Sequence, residues 1–336
     1  MKKQSKFLVY LLALFLFLLG VAGCGSQTAK NSSQVNQDKA TQINASYSTR
    51  PINVPAIVAL DQKLFEKEFQ KDGIDFKWQE IAAGPAQLEA LASKSIDIST
   101  SMNYVSALLA KANGNDIKVI AGYSQFPKGI GIVARTNSNI KSIEGLKNKK
   151  IALQKGTMLH ELLIKALAKE NMSVSDVEIV PMESTDAATA LLGGQIDAAI
   201  LPEPLLSKVI GSGKGTLIQT AEGLISGQTF IVARTEFIRD NPNLIKRFIK
   251  THEESIQWAE QNKNDFYNIA SKQLNLDVKS VQALYPKFIF KTKIDSSVIN
   301  ELKQSAQFLQ KNGFLKPSVN IDQLITDLID TSFISE

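Results

Sequence analysis

Six short stretches combine hydroxyls, amides and glycine in a way that suits capture of a small oxyanion. They are STRPIN with Thr49, Arg50 and Asn53, AAGPA with Gly84 and Pro85, STSMN with Thr100, Ser101 and Asn103, QKGTM with Gly156 and Thr157, MESTD around Ser184, and LPEP with Glu203. His160 follows the fourth stretch by one helical turn, and Gln228 adds a further amide. Ser, Thr and Asn carry short donors, and a helix that opens directly after them contributes unpaired backbone N–H groups and the positive end of its dipole. The same residue types also cap helices for stability alone, so one loop proves nothing. Six of them converging on one cleft point to binding. Glu203, held between two prolines, suits either a ligand amine or a helix cap. Lys155 and Arg50 suit either solvent or an anion, and His160 either a cleft wall or a packed helix face.

Catalytic patterns are missing from the same inventory. Two histidines and one cysteine are too few for a His/Cys zinc site. No G-x-S-x-G elbow occurs. The run KVIGSGKGT mimics a phosphate-binding loop, but Lys208 stands at the required first glycine and Gly215 follows Lys214 where Ser or Thr is needed. These features predict a binder without cofactor or metal, and not an enzyme.

The one cysteine, Cys24, follows Lys2, Lys3 and Lys6, an apolar run from Phe7 to Leu19, and the small residues Gly20, Ala22 and Gly23. That order is a secretory signal over residues 1–23, too short to span a bilayer, which takes about 20 apolar residues. A lone thiol has no internal partner, and Val21-Ala22-Gly23-Cys24 resembles the lipobox of bacterial lipoproteins. The resemblance implies acylation of Cys24 and an anchor on the outer face of a cell membrane, where two acyl chains suffice. Loss of the signal's three lysines lowers the formal charge from +5 to +2. No basic face for nucleic acid remains. Residues 24–41, poor in aliphatic and aromatic side chains, read as a disordered tether.

Positioning these loops requires elements, and the chain repeats them. WQEIAAGPAQLEALASKSIDIS from Trp78 aligns with IVPMESTDAATALLGGQIDAAI from Ile179 when Ile96-Asp97 is set on Ile196-Asp197, an offset of 100. IVART at Ile132 returns at Ile231, an offset of 99. INASYS, IDFKWQEI, KKIALQKG and VEIVPM read as strands. NVPAIVALDQKLFEKEF reads as one helix, and TMLHELLIKALAKENM as another with Leu159, Leu162, Leu163 and Leu167 on one face. Alternation predicts parallel sheets covered by helices, with ligand loops at the strands' carboxyl ends. After Asn241 the pattern is mostly helical.

KWQEIAAGPAQLEAL, SIDIST, IKSIEGLKNKKIALQKGTMLHELLIKAL and LLGGQIDAAILPEP, in this order behind a lipobox, resemble the solute-binding proteins of ABC importers. The group is that of aliphatic sulfonate, taurine and nitrate binders, similar also to binders of thiamine-pyrimidine precursors. The resemblance implies an α/β type II periplasmic-binding-protein fold with two crossover strands. Lobe 1 would comprise 42–131 and 232–336, lobe 2 132–231, with the IVART strands at the crossovers. It also implies a monomer that closes on a small organic anion or zwitterion, an aliphatic sulfonate or taurine above all, and delivers it to a permease with its ATPase subunits. Ala83-Gly84-Pro85, Thr100-Ser101 and Gln154-Lys155-Gly156-Thr157 with His160 match the sulfonate pattern. Met102-Asn103 and Pro202-Glu203-Pro204-Leu205 depart from it, and nitrate or a pyrimidine precursor stays open as the solute.

Overall fold

Buried apolar runs and the repeat build two sheets rather than one. The computed structural model describes residues 38–49, 51–81 and 84–334. Strands β1 (Gln42–Tyr47), β2 (Asp75–Glu80), β3 (Ile98–Asn103), β4 (Ile117–Gln125), β10 (Thr229–Arg234) and β11 (Ile289–Phe290) form the first, in the order β11-β4-β10-β3-β1-β2. Strands β5 (Ile130–Arg135), β6 (Lys150–Leu153), β7 (Glu178–Pro181), β8 (Ala198–Pro202) and β9 (Gly215–Thr220) form the second, in the order β7-β6-β8-β5-β9.

Without β11, the two orders are the same pattern. In each sheet three parallel strands are followed by an antiparallel strand, β10 or β5, that pairs on both sides. The repeat is therefore five strands long, β1–β5 and β6–β10, and the fifth strand of each copy sits in the sheet of the other. This exchange gives the IVART echo its physical reason. Both copies fill the same slot, buried over five of their six residues, which demands small and β-branched apolar side chains on both faces. The expected all-parallel sheets are thus corrected to mixed ones. The chain crosses between Gln125 and Ile130 and returns between Thr220 and Thr229, so the IVART strands lie just after each crossing.

The second echo has a matching device. Arg234 N–H donates to the Asp97 carbonyl and its guanidinium pairs with the Asp97 carboxylate, whose Oδ2 also accepts from Asn44 N at 2.8 Å. In the other sheet Arg135 N–H donates to the Asp197 carbonyl, Arg135 Nη2 lies 3.6 Å from Asp197 Oδ1, and Oδ2 accepts from Lys150 N at 3.0 Å. The repeated Ile-Asp and Ala-Arg pairs lock each exchanged strand to the sheet it enters.

Helices α1 (Val54–Gln62), α2 (Leu64–Gln70), α3 (Gly84–Ala92) and α4 (Tyr104–Ala112) follow strands of the first sheet. Helices α5 (Met158–Lys169), α6 (Ser184–Leu192) and α7 (Leu205–Gly211) follow strands of the second. The single helix expected over 53–69 is broken at Lys63, in the left-handed region at φ 53°, so that Phe65 and Phe69 turn onto Phe76 and Phe248. On α5, Leu159, Leu162, Leu163 and Leu167 are buried as the period predicts. The segment that mimicked a phosphate loop runs from α7 into β9, helix then strand, the reverse of the order such a loop requires. The C-terminal region supplies α8 (Thr235–Asp240), α9 (Pro242–Gln261), α10 (Lys263–Leu274), α11 (Val278–Leu284), α12 (Ser296–Lys311) and α13 (Ile321–Leu328). Asp38–Glu336 is one compact unit.

Candidate functional site

The parallel strands β1, β2 and β3 are neighbours, so their carboxyl ends bring three of the six loops to one sheet edge. Asn53 is buried, and its Nδ2 donates to Ser48 O at 2.6 Å while Thr49 O accepts the Asn53 N–H. Asn103 caps α4: its Oδ1 accepts from Ser106 N at 2.9 Å and its Nδ2 donates to Ser106 Oγ at 2.8 Å. Gly84 opens α3 against this cap, and a Cβ there would lie 2.8 Å from Ser106 Oγ. Pro85 is exposed beside it. Ser101 adopts φ 60°, a conformation that a non-glycine residue takes only under local constraint. Thr100 is buried and spends its hydroxyl on Ser46 O at 2.8 Å, a sheet-building contact. Gln228 joins the same edge: its carbonyl accepts from Tyr104 N and its Oε1 from Gln125 Nε2 at 2.9 Å. Arg50 and Cys24, with the whole signal and most of the tether, lie outside the described residues.

On the second sheet the turn after β6 places Gly156 at φ 77°, in the left-handed region that glycine enters without strain. Thr157 then caps α5, accepting from Leu159 N at 3.2 Å and donating to Gln154 O at 2.7 Å. His160, 4 % exposed, packs edge-on against Phe314 with ring centroids 5.4 Å apart. Burial first, and the Lys155 charge second, hold its imidazole below the ordinary histidine range, so it is neutral at pH 7. Glu203 is buried and already engaged. It pairs with Lys287 and accepts from Ser207 Oγ at 2.8 Å, so the choice between ligand amine and internal partner falls to the internal one in this conformation.

The two edges are joined by a residue pair that the loops did not reveal. Tyr104 Oη, at the first residue of α4, donates to Glu161 Oε2 at 2.7 Å in the first turn of α5. Glu161 is 0 % exposed and also accepts from Ser305 Oγ of α12 at 2.8 Å and pairs with Lys165 at 2.7 Å. The first turns of α4 and α5, one from each sheet, are therefore linked through a side-chain hydrogen bond. A sequence signal existed: Glu161 interrupts the apolar face of LHELL four residues before Lys165. Among the described residues no group of three His, Cys, Asp or Glu side chains could hold a metal ion.

Two α/β sheets that exchange one strand across paired connections, with helices of the two sheets linked by the Tyr104–Glu161 bond, define a periplasmic-binding-protein fold. The alkanesulfonate-binding protein SsuA from Xanthomonas axonopodis pv. citri, solved bound to MOPS, is similar with a TM-score of 0.78 at 22 % identity, over 88 % of this chain and 100 % of that one. The desulfurization enzyme DSZB is similar at 0.67 and 13 %, over 87 % and 97 %. Residues 55–265 match the family model described as NMT1/THI5 like. Across 335 residues the chain is 30 % identical to the "Putative aliphatic sulfonates-binding protein" of Bacillus subtilis (strain 168), covering 99 % of this chain and 97 % of that protein. The chain belongs to the NMT1/THI5-like family.

Proposed function

We propose that the protein is the extracytoplasmic solute receptor of an ABC importer, tied to the membrane through Cys24, and that its solute is an aliphatic sulfonate or taurine. The observation that carries the reading is the meeting of α4 and α5 at Tyr104 and Glu161. It ties the first turn of α4, capped by Asn103, to the first turn of α5, which follows Gly156 and Thr157, and so supports a solute position between the two caps. A sulfonate there would take backbone N–H groups of two helix starts together with the Ser101 hydroxyl, and the Thr157 hydroxyl only by turning its proton away from Gln154 O. Ligand contacts with both lobes favour the closed state, and the permease reads that state. Micromolar capture needs about −8 kcal/mol, within reach of several charge-assisted hydrogen bonds in a desolvated cleft.

Likeness of fold alone does not separate a receptor from an enzyme, since DSZB has the fold too. The receptor reading is supported by the sulfonate-binding name of the relative that is alike over its whole length. It is also supported by the burial of His252 in the core against Tyr123. Thermal unfolding of the chain from Asp38 onward, against taurine, alkanesulfonates, nitrate, pyrimidine precursors and amino acids, tests it. A true ligand adds about 2.7 kcal/mol at a hundredfold excess over its Kd. A response to sulfonates or taurine supports the assignment, and a response to nitrate or a pyrimidine alone overturns it.

A further inference from the structure

Beside the Lys155–Gly156 turn lies a cavity of about 320 Å³. Three elements converge on it: α5 with Ile164, the β7 region with Val174, Val177 and Ile179, and Phe314 from the turn after α12. All five side chains are half-buried, an apolar concavity that a soluble body leaves open at a free-energy cost unless something fills it. Its polar side chains are Lys155, His160 and Asn312. Lys155 is exposed and makes no ion pair among the described residues. The Gly156 N–H reaches His160 Nδ1 only at 3.4 Å, a long hydrogen bond that an incoming oxygen can displace. His160 is neutral and lends its ring to the apolar wall.

We propose that this cavity is a specificity subsite for the alkyl body of an anionic amphiphile whose acid group sits at the Lys155–Gly156 turn. The inference deepens the solute-receptor reading and rests on it: the preferred solute is a longer-chain sulfonate rather than a one- or two-carbon acid. Asn312 and Phe314 come from the C-terminal region and the rest of the wall from the segment that builds the second sheet, so a chain in the cavity touches both and helps hold them together.

Calorimetric titration with methanesulfonate, butanesulfonate and octanesulfonate tests this. Affinity should rise by about fourfold for each methylene buried. Val177→Trp, which fills the cavity, should flatten that rise and leave methanesulfonate unchanged. Phe314→Ala, which removes a wall instead of adding bulk, should lower the octane-to-methane ratio as well. Lys155→Ala should weaken all three by a similar factor. A parent protein that binds the three equally, or a rise that persists in both cavity variants, overturns the subsite and leaves the receptor standing. Failure of every sulfonate to bind overturns the sulfonate reading itself.

Discussion

Thr157 does two things at once, and one substitution confounds them. Its hydroxyl caps α5 by accepting from Leu159 N, and its proton, now donated to Gln154 O, would turn to a ligand only by breaking that bond. Thr157→Ala should cost about 1 kcal/mol of stability with no ligand present, besides any loss of affinity. Thr157→Ser keeps the hydroxyl, so its melting temperature and solute affinity should both stay near the parent values. Glu203 behaves differently. Because its carboxylate is buried against Lys287 and Ser207, Glu203→Gln should lower the melting temperature of the empty protein. An unchanged melting temperature would mean that the pair is not formed in solution. His252 gives a pH dependence. Complete burial holds its imidazole down to about 3, whereas the unfolded chain titrates near the usual 6.5. The unfolded state therefore binds the extra proton, and stability complete above pH 6.5 declines as the pH falls toward 3. The loss is about 2 kcal/mol at pH 5, and urea midpoints at pH 7 and pH 5 should converge in His252→Phe.

At the scale of elements, the repeat was legible and its consequence was not. Ile96-Asp97 with Ile196-Asp197, and the two IVART runs, mark the Arg–Asp locks that seat β10 and β5. A sequence shows that two strands are alike but not that each has moved into the sheet of the other copy, because the slot is set by pairing with β3 and β4, or β8 and β9, far along the chain. The locks differ in burial: side chains are 14 % and 8 % exposed for Arg234 and Asp97, against 34 % and 26 % for Arg135 and Asp197. Arg234→Ala should therefore cost about 3 kcal/mol, since it strands a buried carboxylate. Arg135→Ala should cost about 1 kcal/mol or less, and denaturant titration of the two variants checks the order. The break at Lys63 was illegible for another reason: lysine is a good helix former, and only the aromatic cluster of Phe65, Phe69, Phe76 and Phe248 requires the turn.

Across the whole molecule, the loops that cap helices could be read from residue types, while the contacts that join the lobes could not. Tyr104 with Glu161, Glu161 with Ser305, and Glu203 with Lys287 link positions 57, 144 and 84 residues apart. No local period encodes such partners. If Glu161 fastens the two helix starts, Tyr104→Phe should shift the balance between open and closed forms. Small-angle scattering of the ligand-free variant should then give a radius of gyration larger than the parent's, and an equal radius would refute that role. The strand exchange also sets an order of assembly. All five strands of the second sheet lie between residues 130 and 220, so this sheet is complete as soon as that stretch of chain is available. The first sheet holds a vacant slot between β3 and β4 until Thr229 arrives, 104 residues after β4 ends. A chain delivered from its N-terminus therefore presents two unpaired strand edges throughout that interval, the condition under which a nascent protein most needs a chaperone.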